Sequence, residues 1–550
     1  MQQFNHKHRR REVGGVGMYS RYCFSVVVVL TFLLIMGCSQ TKSSTSSTVQ
    51  EANKQIVVAV TQDTEGDKLD ATTYNGTRQT HAAVYDALVE YEGEGKIAPS
   101  LAESWEVSDN GKTYRFHLRK QIKFSDGSPL NSAAVKFSLE RATSREENAG
   151  LEISRLLKKI EAPDDNTVVL TFKETATQVL YELSQARPFR IMSPNSVIPV
   201  GDVNGTFDKA IGTGPWKIDS YHQGVETVLV ANEHYWLEKP SEYSLVFKVI
   251  TDPQARVLAL QSGEADLAGG ELGNIPAESL SVFQNKDKYV VETGTSTMSY
   301  FLVINQNNAF LSDKNIRQAM NYGNDTNKYA DGSSDPIKGL FQKNVAFVTD
   351  DNQPFYPYHP EKAKQRIEAS GYKWNEKKQL YERDGQILQL RLVIQTEEYP
   401  EWKEMAEIFQ DNMKQIGIQI NIVNKERAAY YDTLWSSKDY DLLMYRTYTD
   451  AQLPYRFLSS LFYSSPSTPG VAYQDRPLSD LLDQIASTVL AEKQQALFDQ
   501  VFLRMHEEAM SVPIYYAKQT FVHSRELVGF TFNAIEDDPV KWHRLKKEAQ

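Results

Sequence analysis

Cysteine is nearly missing: 550 residues contain two, Cys23 and Cys38, both close to the N-terminus. The body of the chain therefore has no disulfide framework, no thiol nucleophile and no Cys-based metal site. A chain this long does not need staples, because it can bury large cores. Basic excess is missing too. With 60 Lys and Arg against 71 Asp and Glu, the net charge is −11, a poor basis for binding nucleic acid. After residue 36 no apolar run approaches the roughly 20 residues of a membrane span. Catalytic signatures are lacking as well. There is no Gly-x-Ser-x-Gly elbow and no His-Glu-x-x-His, since His506-Glu507 has no second histidine. Asn110-Gly111-Lys112-Thr113 has the tail of a phosphate loop without its first glycine and reads as a hairpin turn. No enzyme and no cofactor is expected.

The single long apolar run, residues 23–36, follows Arg21 and a basic cluster of Lys7, Arg9, Arg10 and Arg11. Its length suits the apolar region of a signal peptide and is short for a span. It ends in Ile35-Met36-Gly37-Cys38, which resembles a bacterial lipobox: a small residue precedes the cut, and the Cys38 thiol carries the lipid. The alternative is a signal anchor with an incidental cysteine. Residues 39–53 are rich in Ser and Thr without apolar periodicity and read as a flexible tether. The expected order is a signal peptide over 1–37, then lipidated Cys38 and tether over 38–53. An extracytoplasmic domain held to the membrane by the lipid follows.

Residues 56–60 read as a buried strand, and residues 81–89 as a helix with Ala82, Tyr85, Leu88 and Val89 on one face. Residues 99–119 read as a short helix, a strand, a turn at Asn110-Gly111 and an alternating strand carrying Tyr114, Phe116 and Leu118. Asn131 is placed to cap a helix over 133–142. Further on, 403–416 is amphipathic, 418–423 alternates like a strand, 441–445 is a buried strand and 493–508 another amphipathic helix. Such β-α-β order argues for an α/β body. Residues 323–339 are polar and broken by Gly, Asp and Pro. Asp325-x-Asn327 faintly suggests a calcium loop but lacks the bidentate Glu, so a solvated loop is expected.

An ordered series of short motifs runs through the chain. It comprises LAESWEVSDNGKTYRFHLRKQIKFSDGSPL over 101–130, ARPFRIMSP over 186–194, IGTGPWKI over 211–218, NEHYWLEKP over 232–240 and GEADL over 263–267. It continues with Asn305, IRQAMNY over 316–322 and residues 440–461. In this order the motifs resemble the family-5 solute-binding proteins, the oligopeptide, dipeptide and nickel receptors of ABC importers. The wording ARPFRIMSP, RTYT and RFLSSL is nearest to the nickel and metallophore branch. The resemblance implies a two-lobed, type II binding-protein fold with two hinge crossings, near residues 295–306 and 511–523. Lobe I would span 54–297 and return over 513–550, and lobe II would span 298–512. It implies a monomer that hands its ligand to permease subunits and their ATPases.

The resemblance also implies a ligand site. In peptide receptors an aspartate at the position of Asp450 takes the ligand's ammonium group, because a cation removed from water needs a charged hydrogen-bonding partner. Arg187 matches the arginine with which metallophore receptors grip a carboxylate. The alternatives are a loop carboxylate at Asp450 and a structural salt bridge at Arg187. Tyr448 and Tyr74 are expected as pocket walls, and Arg446 as a further ligand residue; Arg190 is a weaker candidate than Arg187. Arg446 or Arg456 is the alternative neutraliser of Asp450. Residues 463–470 contain none of the histidine that the nickel branch uses, which disfavours bare nickel held by imidazoles. His81 and His222 remain to be inspected for metal. A metal chelate or a short peptide, carrying both an anionic and a cationic end, fits Arg187 with Asp450. The readings from other classes are a lipoprotein peptidase and a surface receptor without a transport role.

Overall fold

The computed structural model describes residues 54–330, 334–447, 453–465, 470–532 and 540–548. Cys38, the tether, Tyr448 and Asp450 lie outside the described residues. Among those described, no helix is long and apolar enough to cross a membrane.

The architecture is α/β, built on one 11-stranded sheet. The β-branched run Gln55–Val60 takes its centre on one side, parallel to Ser244–Val249 and to Leu267–Gly269. On the other side Gln389–Ile394 lies parallel to Gln419–Asn424 and Leu442–Arg446. Two long antiparallel strands, Tyr289–Ile304 and Ser511–Ser524, join the halves. Their pairing lapses between Thr295 and Ser299, where the register shifts. There the Gln342 amide donates to both Met298 O (2.9 Å) and Ala517 O (3.0 Å), one from each strand.

The cores divide along these strands. One gathers buried residues from Tyr300 to Ala517, with Trp402, Phe409 and Phe457 at its centre. A second packs Ile56, Trp216 and Phe247 with Phe521, Trp542 and Leu545 from the end of the chain. A third lies under a four-stranded antiparallel sheet of Ala102–Ser108, Thr113–Leu118, Thr167–Phe172 and Leu157–Asp164. The helix Ser132–Thr143 covers it, and Asn131 caps that helix through the Ala134 amide (3.0 Å). In the central core the helix Trp402–Gln415 buries Met405, Phe409 and Met413 as its periodicity predicts.

Three expectations are corrected. The helix near residue 81 runs Arg78–Val84 and stops before Tyr85, which is extended so that its hydroxyl reaches Leu69 O (2.6 Å). Gly212 and Gly214 press against the Val84 carbonyl there: a Cβ on Gly212 would stand 2.0 Å from that oxygen. The short helix after Pro99 does not form, because the amides of Leu101 and Ala102 donate to the carbonyls of Ala87 and Leu88 instead. Residues 323–339 are only partly a solvated loop. Tyr329 is buried with its hydroxyl on Asn324 Oδ1 (2.7 Å), and Ser334–Pro336 adds a strand against Ser511–Ser524. The Asp325 side chain caps the Asn327 amide.

Candidate ligand pocket

The pocket begins with a buried ion pair. Arg141, on the helix Ser132–Thr143, donates from Nη2 (2.7 Å) and Nε (3.0 Å) to Asp70 Oδ2, and Arg145 adds a third contact (3.0 Å). The other Asp70 oxygen accepts from the Thr72 amide (3.0 Å) and hydroxyl (2.7 Å). Burial alone would raise the Asp70 pKa, but the bonds from Arg141 and Thr72 outweigh it and hold the carboxyl below its usual range. The segment after Asp70 is thereby pinned.

That segment presents Tyr74, with 42% of its surface exposed, and two outward carbonyls. Arg187 Nη1 donates to Tyr74 O (2.5 Å) and Gly76 O (2.6 Å), and its guanidinium carbon stands 5.6 Å from the centre of the Tyr74 ring. Arg187 is thus oriented by the chain rather than left to swing. It lines a pocket together with Tyr74, Arg78, Glu182, Gln185 and Arg456. Arg456 stands on the helix Pro454–Leu461, which belongs to the central core; the others belong to the N-terminal half. The pocket therefore lies between the halves and is narrow as it stands, with about 40 Å³ of free room.

Glu182 is held by a reciprocal arrangement. Its two oxygens accept the amides of Glu152 (2.7 Å) and Ile153 (2.8 Å) at the start of one short helix. Glu152 in turn accepts the Gln178 amide (2.6 Å) at the start of the helix that carries Glu182. Burial pushes Glu152 up to about 7, and the Glu182 charge adds to the effect. Burial likewise raises Glu182, against the amides of Ile153 and Glu152 and, after them, the charges of Arg456 and Arg155.

The remaining candidates separate. Arg190 turns away from the pocket, donating to Gln185 O (3.1 Å) and Tyr85 O (3.0 Å). Arg446, at the end of its strand, donates to the Tyr399 hydroxyl and to Thr447 O (3.0 Å), packs over the Tyr399 ring and is not among the lining residues. His81 is fully buried, with Nε2 on Asn75 O (2.7 Å). Burial, helped by the charges of Arg187 and Arg190, pushes its pKa down to about 3, so it stays neutral. His222 is exposed, 3.9 Å from Glu226. No group of three or more His, Cys, Asp or Glu suited to a metal ion occurs among the described residues. Sequence reasoning missed Arg78 and Glu182. Arg78 simply starts a helix, and Glu182 gains its meaning from Glu152, thirty residues away.

The chain is also similar to proteins already known. A model of bacterial extracellular solute-binding proteins, family 5 (middle), matches residues 96–469. The nickel-binding periplasmic protein of Escherichia coli K12 is 30% identical over 463 residues, covering 82% of this chain and 87% of that one. The dipeptide-binding protein of the same strain is 27% identical over 496 residues, covering 84% and 89%. Among solved structures, NikA from Brucella suis in complex with Fe(III)-EDTA matches with a TM-score of 0.78 and 26% identity, covering 90% of this chain and all of that one.

Proposed function

This chain belongs to the bacterial extracellular solute-binding proteins of family 5, and we propose that it is a lipid-anchored receptor for a small ligand bearing carboxylates and a cationic centre. It is a binding protein of an ABC importer, working outside the cytoplasm, and not an enzyme. In this reading Cys38 carries the lipid and residues 39–53 are the tether. Lobe I comprises 54–297 and 513–550, and lobe II comprises 298–512. The ligand is a metal chelate or a short peptide. Arg187 grips a ligand carboxylate with a guanidinium that the chain carbonyls have already oriented. Asp450 takes the ligand's cationic end. Tyr74 and Tyr448 wall the pocket, and Arg446 stiffens the strand that leads to Tyr448. Closure brings Arg456 toward Arg187, so ligand and closed lobes stabilise each other.

The observation that carries this reading is the pre-oriented Arg187 in a pocket whose lining comes from both halves of the chain. Arginine is a poor neighbour for a bare dication, which favours a chelate over free nickel as cargo. The test is native mass spectrometry of the chain from residue 39 onward, purified from rich medium. One metal-containing adduct, lost in Arg187→Met, supports the chelate. A ladder of peptide masses, lost in Asp450→Asn, supports the peptide. A ligand retained by both variants overturns the site. Anchoring is tested by metabolic labelling with a radioactive fatty acid: the chain should take up the label and Cys38→Ser should not.

A further inference from the structure

Away from the Arg187 pocket, two hairpin tips of the N-terminal half rest on the central half. The first joins Val89–Gly93 to Lys96–Pro99 and turns at Glu94 (φ +50°) and Gly95 (φ +78°). The second joins Ala102–Ser108 to Thr113–Leu118 and turns at Asp109, Asn110 and Gly111, the last at φ +81°. At the first tip the Glu94 amide and the Tyr91 hydroxyl both donate to Asn344 O (3.1 Å each). Asn344 Nδ2 in turn donates to Ser296 O (3.0 Å), where the pairing of the long strands lapses. Both tips need glycine for space as well as for backbone. A Cβ on Gly95 would stand 3.0 Å from Ala346 Cβ, and one on Gly111 would stand 2.9 Å from Val489 Cγ1.

Between the tips runs an apolar cleft lined by Ile97, Tyr114, Leu180, Phe347, Val489 and Leu490. None of these residues lines the Arg187 pocket. The helix Val179–Ser184 separates the two spaces, turning Leu180 and Tyr181 to the cleft and Glu182 to the pocket.

We propose that these two glycine-tipped turns are an affinity-setting latch: they hold the lobes closed through contacts that the ligand does not touch. The proposal rests on the two-lobed reading above. A latch of this kind changes the closed fraction of the ligand-free protein, and apparent affinity scales with that fraction. Every ligand is therefore strengthened by the same factor, while the choice among ligands stays with the pocket. Losing the Tyr91 hydroxyl removes the seam hydrogen bond to Asn344 O and the one it accepts from the Gly95 amide (3.0 Å) within the tip, and should weaken binding about two- to tenfold.

The test uses the full chain in detergent with Cys23→Ser and Cys38→Ser, and with nitroxides on Val225→Cys and Leu503→Cys, which are 55% and 49% exposed on opposite halves. Pulsed electron resonance then reads the distance between halves without ligand and with Fe(III)-EDTA as probe. Val489→Trp, a wedge against Gly111, and the milder Tyr91→Phe are expected to lengthen the ligand-free distance distribution. If both variants keep the wild-type distribution while the wild type itself spans more than one distance, the lobes move and the latch is refuted. One narrow distance shared by every variant and by the probe-treated protein would refute lobe motion itself, and the latch with it.

Discussion

Replacing Asp70 with Asn tests the foundation of the pocket. The carboxylate is buried and shared by Arg141 and Arg145, and Arg141 is itself buried, with Nη1 on Val203 O (2.7 Å) and Gly205 O (2.8 Å). The substituted amide keeps the shape but removes the counter-charge. If its oxygen faces the guanidinium, its nitrogen faces Thr72; the Thr72 hydroxyl can turn to accept from it, but the Thr72 amide then meets a second donor. Breaking a buried pair in this way costs about 3–5 kcal/mol. Hydrogen exchange reads that cost locally, which suits a chain with several cores. Protection of peptides covering 70–77 and 132–145 should fall by roughly two to three and a half orders of magnitude. Peptides over 389–424 should be unchanged. The sign with pH follows from the lowered Asp70 pKa. Its stabilisation is complete above the ordinary carboxylate range and is lost as pH falls through the folded value, so wild type should keep this protection down to about pH 4. A fall of less than tenfold in Asp70→Asn would refute the reasoning.

Glu152 carries the opposite sign. Its folded pKa of about 7 lies above the ordinary value of 4.5, so stability falls as pH rises between the two; Glu152→Gln, which keeps an acceptor for the Gln178 amide, should raise the melting midpoint at pH 8, by an amount that shrinks as pH falls toward 4. Arg187→Lys should fail to restore the ligand lost in Arg187→Met, because an ammonium group serving both chain carbonyls has one N–H left and cannot give a carboxylate the parallel pair of bonds a guanidinium gives; titration calorimetry with the co-purified ligand decides. Gly212→Ala should lower the melting midpoint by several degrees, since its Cβ meets the Val84 carbonyl and no flexible side chain can give way.

Much of the fold was legible where a single segment carries its own signal. Asn131 capped its helix as read, and the stripe of Met405, Phe409 and Met413 went into the core. The errors fall where distant residues decide. Nothing between residues 81 and 89 says that Leu69 O waits for the Tyr85 hydroxyl or that two glycines near 212 need the chain extended there. Leu101 and Ala102 have helix-compatible neighbours, yet their amides were taken by Ala87 and Leu88. Within the site the sequence pointed to Arg187 and Tyr74, which the structure brings together, and to Arg446, which it commits to Tyr399. Glu182 was invisible because its environment is made by Glu152 and by Arg456 from another part of the chain.

The path of the chain through the cores bears on how it is made. Phe521, Leu527, Val540, Trp542 and Leu545 complete the core begun by Ile56, Val58 and Val60, the first described strand, more than 450 residues earlier in the sequence. The buried residues of the central core run from Tyr300 to Ala517, with only Tyr181 and Met298, among the described residues, packed against them from earlier in the sequence. During synthesis or export the core of the N-terminal half therefore stays incomplete until residues 521–545 are available, whereas the central core has its buried residues by Ala517. A truncation of a few dozen C-terminal residues would strike the half of the protein that was made first.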